Sequence, residues 1–221
     1  MKKLFIFFLV LLLSKTSLVN AQDGSSGGLP EAGDFFIEMT GSPYDGTSLL
    51  NFGSFRARFM VSESIVPRIG IHGSLSDYQT TPDKTYNSTE YLVTPGVEIH
   101  FMKEGSFRSY LAIDALIGQK FADASSVSGT GVVGSTQVPV GSNYSFDTST
   151  RGFFRVGGNL SFGADYHFSS RFYAGVEIGF QYYRIMYSDV EVDGALYQSG
   201  TTVNNASVNR TNSFRVGFKL F

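Results

Sequence analysis

Three histidines, His72, His100 and His167, are the side chains best suited to carry a proton near neutral pH. His72 stands two positions from Ser74 and His100 two from Glu98, so in an extended chain the members of each pair leave the same face. His72 as base, Ser74 as nucleophile and Glu98 as orienter would have the makings of a hydrolytic triad. Position weighs against it, since the nucleophile must reach a substrate at an open surface and these residues fall within strands or beside short turns. They read instead as satisfied interior histidines. Metal binding fares no better, because no two histidines have ligand spacing and the strand acids share their phase with bases. Asp45, Asp77, Asp83, Asp189, Glu191 and Asp193 stand in or beside polar loops that lack a calcium pattern. Gly129-Thr130-Gly131 precedes no helix that could hold a phosphate. The chain has no cysteine, which excludes thiolate chemistry and disulfides. The expectation is a protein with no catalytic residues, no metal and no cofactor.

The elements that would carry these residues are strands. Seven stretches of alternating polarity cover about 34–41, 53–62, 67–76, 91–102, 107–121, 151–168 and 172–186, and an eighth closes the chain through Phe214, Val216, Phe218 and Leu220. Within each, all charges share one phase. Phe55, Ala57, Phe59 and Val61 alternate with Arg56, Arg58 and Met60, and Phe172, Ala174, Val176, Ile178 and Phe180 alternate with Tyr173, Glu177 and Gln181. Since successive strand residues point to opposite faces, the product is a sheet with one oily and one ionic side. The connections at 42–52, 77–90, 122–150 and 187–207 are long, and those at 63–66, 103–106 and 169–171 are short. All long ones therefore fall on one side of the sheet. No helical period of useful length appears beyond the N-terminus.

A water-soluble barrel would turn the oily face inward, whereas a membrane barrel turns it out. Three features favour the second. Glycine recurs in the charged phase, at Gly70, Gly96, Gly118, Gly157, Gly163, Gly175 and Gly179, where it would leave room for long side chains in a narrow lumen. The charges of that phase nearly balance: Arg56, Arg58, Arg68, Arg155, Arg215 and Lys219 stand against Glu38, Glu98, Asp114, Asp165 and Glu177. A closed interior needs that balance, because an unpaired buried charge costs several kcal/mol. Aromatic residues gather beside the short turns, as Phe101, Phe107, Tyr166, Phe168, Phe172 and Phe218, where a membrane-interface girdle belongs. The expected fold is an all-β, eight-stranded antiparallel up-and-down transmembrane barrel. Its expected site is a lumen charge network of Glu38, Arg56, Arg58, Arg68, Glu98, Asp114, Arg155, Asp165, Glu177 and Arg215. Eight strands leave an interior just filled by side chains, so the lumen is expected to be plugged.

Met1-Lys2-Lys3 and the apolar run Leu4 to Leu13, followed by Val19-Asn20-Ala21, read as a cleaved secretory signal over 1–21. The run is half the ~20 residues that a spanning helix needs. Gln22 to Gly33 reads as a flexible leader, leaving 34–221 as the barrel. Loss of Lys2, Lys3 and Lys15 takes the net charge from -2 to -5, which gives no electrostatic case for nucleic acid.

Signal, strand count and the ending Phe214-Arg215-Val216-Gly217-Phe218-Lys219-Leu220-Phe221 resemble the small eight-stranded outer-membrane barrels of Gram-negative bacteria, the OmpA/OmpX-like group. Gly53-Ser54-Phe55-Arg56-Ala57-Arg58-Phe59 and Tyr173-Ala174-Gly175-Val176-Glu177-Ile178-Gly179 look most like the variant common in Bacteroidetes. The resemblance implies an outer-membrane address, lipid as surroundings, and a terminal Phe221 read by the barrel-assembly machinery. In this chain Lys219, Gly217 and Arg215 occupy the places two, four and six before Phe221, so the oily phase is offset by one and Phe221 is expected to turn inward or cap the rim. The expected function is non-enzymatic: exposed loops, chiefly 122–150 and 187–207, engaging a surface or envelope protein partner on a rigid scaffold. The alternatives are an accessory subunit of a larger outer-membrane complex, a lipid A-modifying enzyme and a small-solute channel.

Overall fold

Alternation at a period of two, supported by Val, Ile, Phe and Tyr in the outward phase, drives this chain into strands throughout. The computed structural model describes residues 30–42, 51–81, 84–126, 129–139, 144–209 and 214–221. The signal and most of the leader lie outside the described residues. Among the described residues twelve strands follow in order: β1 (Phe35–Ser42), β2 (Asn51–Phe59), β3 (Ile65–Thr81), β4 (Lys84–Glu104), β5 (Phe107–Ser126), β6 (Gly131–Val133), β7 (Phe153–His167), β8 (Phe172–Tyr187), β9 (Val190–Val192), β10 (Ala195–Gln198), β11 (Thr202–Asn209) and β12 (Phe214–Lys219).

Every pairing is antiparallel, and the long strands close on themselves. β1 pairs β2, then β3, β4, β5, β7 and β8 follow in turn, and β12 joins β8 to β1. Along one edge of β8, β12 covers the lower half and β11 the upper, so together they fill the eighth place in the wall. The wall is a barrel of eight positions. Tight turns at 60–64, 105–106 and 168–171 mark its lower end, the first of them stitched by Ser62 Oγ accepting the Ile65 amide at 3.0 Å.

Two expectations change. Of residues 77–90, expected as a loop, 77–81 and 84–90 are strand, with Asp77 opposite Asn87 and Gln79 opposite Thr85. The backbone there gains a full ladder although neither face is apolar. The long connections after β5 and β8 are also not plain loops. They contribute β6, β9 and β10, which extend the sheet from the top of β5. β9 and β10 meet at Asp193-Gly194, both at positive φ, the geometry that a two-residue hairpin favours. The wall is consequently uneven: β4 has 21 residues and β5 has 20, against 8 for β1 and 9 for β2.

Outward side chains form an apolar belt that leaves Leu160, Ile113, Ile178 and Val176 more than half exposed. Such a continuous exposed surface has no place in water. Phe107 to Phe121 spans fourteen residue steps of β5, about 35 Å in height at the usual rise and tilt of barrel strands. That suits a bilayer's hydrocarbon with part of its interfaces. Below, Phe172 packs on Phe218 at 4.9 Å and Tyr166 on Phe168 at 5.5 Å; above, Tyr91 meets Phe121 at 6.4 Å. Beyond that upper line the outward phase turns polar at Asp77, Asp123 and Arg184.

Candidate functional site: the lumen and the cap above it

The lumen is layered. At the bottom the inward phase is apolar, and Phe36, Met60, Val66 and Tyr173 pack into a small buried cluster. The segment before β1 lies across this mouth: Arg108 donates to the Pro30 carbonyl at 2.7 Å, the Gly33 amide to the Met60 carbonyl at 2.7 Å, and Lys219 pairs with Asp34 at 2.7 Å.

Above the apolar floor lies the charge network. Arg68 takes Asp114 in a fork, with both contacts at 2.6 Å, and reaches Glu177 at 2.7 Å and Glu98 at 3.0 Å. Arg58 meets Glu38 at 3.0 Å, Asp165 at 3.2 Å and also Glu98. Arg56 reaches Glu177 at 3.3 Å, and Arg215 grips Asp165, with its Nε at 2.9 Å. Arg58 and Arg68 stand directly opposite across β2 and β3, an arrangement that ordinarily destabilises a sheet. Here Glu98 lies between them and pairs with both. Two tyrosines complete the packing, Tyr110 donating to Glu177 at 2.7 Å and Tyr173 donating to Glu38, while the Arg215 guanidinium sits 4.4 Å over the Tyr110 ring. These groups are almost wholly excluded from solvent.

Nine of the ten network residues expected from sequence thus meet in one cluster, and Arg155 does not. It stands higher in the lumen, paired with Glu90 at 3.3 Å. Lys219 likewise belongs to the lower rim rather than to the lumen charges. Arg108, which sequence reasoning passed over, is buried beside the network, and counted with it the charges of this cluster are five of each sign. The signal was present, since Arg108 lies two residues before Tyr110 in the inward phase.

Glycines shape this interior. A Cβ on Gly163 would enter the Tyr110 ring, one on Gly217 the Tyr173 ring, and one on Gly96 the Asp114 carboxylate. Gly175 faces Asp165 and Arg215 in the same way.

The triad reading has no geometric support. Glu98 lies opposite Val66, six residues from His72, or about 20 Å along the strand, and is held by three arginines. His100 Nε2 lies 3.0 Å from a carboxylate oxygen of Glu98, and His167 packs at 5.0 Å from Tyr173. Among the described residues no group of three or more acids, histidines and cysteines could hold a metal ion.

On the upper side, the connections after β5 and β8 fold together. Phe146 is buried among Ala124, Val132 and Val190, with Tyr86, Tyr144 and Tyr197 packed around it. Arg151 is 1% exposed and ties the two connections by donating to the carbonyls of Ser188 and Ser199. Asp147 accepts the Ser149 amide at 2.8 Å, which holds its carboxyl below the usual range.

Ring closure, an apolar exterior and an ionic interior define the class: an eight-stranded antiparallel barrel of the transmembrane kind. Among solved structures, the chain is similar to the N-terminal beta-barrel domain of Pseudomonas aeruginosa OprF, with a TM-score of 0.43 and 13% identity over 86% of this chain and 100% of that one. It is also similar to Ail, the attachment invasion locus protein of Yersinia pestis, with a TM-score of 0.37 and 12% identity over 85% and 94%. No family model and no curated protein matches the chain.

Proposed function

We infer that this protein is an integral outer-membrane barrel without enzymatic activity, exported by its N-terminal signal, whose lumen is closed and whose folded cap engages a surface or envelope protein. The observation that carries the reading is the pairing of every buried acid in the charge network. Glu98, Asp165, Glu177, Glu38 and Asp114 are each engaged by arginine, tyrosine or both, which leaves the network neither a free base nor a wide aqueous path.

The cap supports the second half. Two connections that share a core and are pinned by Arg151 form a rigid surface, and rigid surfaces on the long-connection side are where such barrels meet partners. Conductance across planar lipid bilayers tests the closed lumen: silence is expected, and stepwise currents would remove this half of the reading. Lipid A from cells with and without the protein should carry identical acyl chains, and a difference would overturn the non-enzymatic assignment. Crosslinking from the cap in native membranes should return one stoichiometric protein that is lost when residues 129–139 are replaced by a short linker.

A further inference from the structure

Above the charge network the inward-facing side chains regain solvent contact. Arg155 is 20% and Glu90 26% exposed, against 5% or less for every side chain of the network. Phe153, Tyr183, Leu92 and Gln181 are half-buried at the same height, and Leu116 and Ile185 are buried behind them. The upper lumen is therefore a hollow that is blind below, since the network is its floor.

Its lining differs in kind from that floor. It joins aromatic and aliphatic side chains to polar ones such as Gln181 and His72, the latter opposite Leu92, with Arg155 lying 5.6 Å from the ring centroids of both Phe153 and Tyr183. Arg155 is also sparsely paired beside the arginines of the network. Arg68 spreads over Asp114, Glu98, Glu177 and Ser161, whereas Arg155 has a single 3.3 Å bond to Glu90, and its Nε has no acceptor. Lys120 faces the same space with its ammonium on the Ser149 carbonyl at 2.8 Å, so the hollow carries two cations against one acid. A planar guanidinium with spare donors, stacked by aromatic rings and biased positive, matches a carboxylate attached to an apolar body.

We propose that the upper lumen is a binding site for a small carboxylate with an aromatic or apolar body, with Arg155 as anchor, Phe153, Tyr183, Leu92 and Ile185 as walls, and Glu90 as the internal anion that the ligand displaces. The site is independent of any protein partner on the cap, so its failure and that of the partner reading are separable.

The test uses the full barrel in lipid nanodiscs, with methyl-labelled Leu and Ile observed by NMR during titration with benzoate. Saturable shifts are expected at Leu92, Leu116 and Ile185, and not at Ile69 or Ile178 on the outer face. Benzyl alcohol, the same ring without charge, should bind about tenfold more weakly. Arg155→Gln should weaken benzoate about tenfold, and Glu90→Gln should tighten it by a similar factor, because it removes the competing anion. The opposite directions of the two variants guard against a fold that merely loosens. Shifts that never saturate, equal binding of benzyl alcohol, or weaker binding by Glu90→Gln would each overturn the site.

Discussion

Arg68 shows what a buried charge network demands of single residues. Its guanidinium satisfies Asp114 twice and also meets Glu98 and Glu177, so removal leaves Asp114 without a cation and takes one partner from each of the other two acids, in a space from which water is excluded. Arg68→Met should therefore lower folding stability by about 3–5 kcal/mol, measured by urea titration in lipid vesicles. Removal of Arg155, with one long bond and partial exposure, should cost far less. Gly217 gives a second residue-scale test. Gly217→Ala places a methyl group in the Tyr173 ring and should cost about 1–3 kcal/mol by overpacking. Tyr173→Leu in the same chain should recover part of that loss, and a double-mutant cycle with no coupling would deny the contact. At this scale the sequence was informative about which residues turn inward, since phase alone marked Glu38, Arg56 and Glu177. It was not informative about height: Arg155 and Arg68 share a phase, but only register shows that one stands above the network and the other inside it.

Strands and their connections were legible to the extent that one face is apolar. β5 and β8 announced themselves through Leu111, Ile113 and Ile117 and through Val176, Ile178 and Phe180. The upper parts of β3 and β4 did not, because Ser76, Asp77 and Gln79 opposite Ser88, Asn87 and Thr85 alternate nothing. Their ladder rests on backbone pairing, which a hydrophobic pattern cannot report. The cap was hidden for another reason, since its core joins residues as distant as Ala124 and Val190. Two predictions belong here. Val176→Arg, on an outward site that is 59% exposed, should destabilise insertion by about 2–4 kcal/mol in lipid vesicles, and equal stability would reverse the orientation of the wall. Phe146→Ala should speed amide exchange in β6, β9 and β10 while leaving β5 and β7 protected, because the cap has its own core.

For the whole molecule, the decisive event is closure of the barrel, which joins the first strand to the last. The seam between β1 and β12 runs from Phe36 opposite Lys219 to Gly41 opposite Phe214, and it is extended at the lower rim by Phe35 donating to Phe221 and Leu220 donating to Phe35. Contacts this remote in sequence form late, since the loop they close is nearly the whole chain. Phe221 finishes the seam. It was expected to turn inward or cap the rim: it does not turn inward but sits at the lower rim, 70% exposed, with its ring stacked on Phe35 at 5.4 Å. Two roles for that ring are separable. If it only staples the seam, Phe221→Ala removes one stacked pair, about 1 kcal/mol, and folding into vesicles and surface level in cells fall in proportion. If the exposed ring is also what the barrel-assembly machinery reads, folding into vesicles changes little while the amount of folded protein at the cell surface falls several-fold. The second outcome is the expected one, because a ring that leaves most of its surface uncovered contributes little to the barrel that carries it.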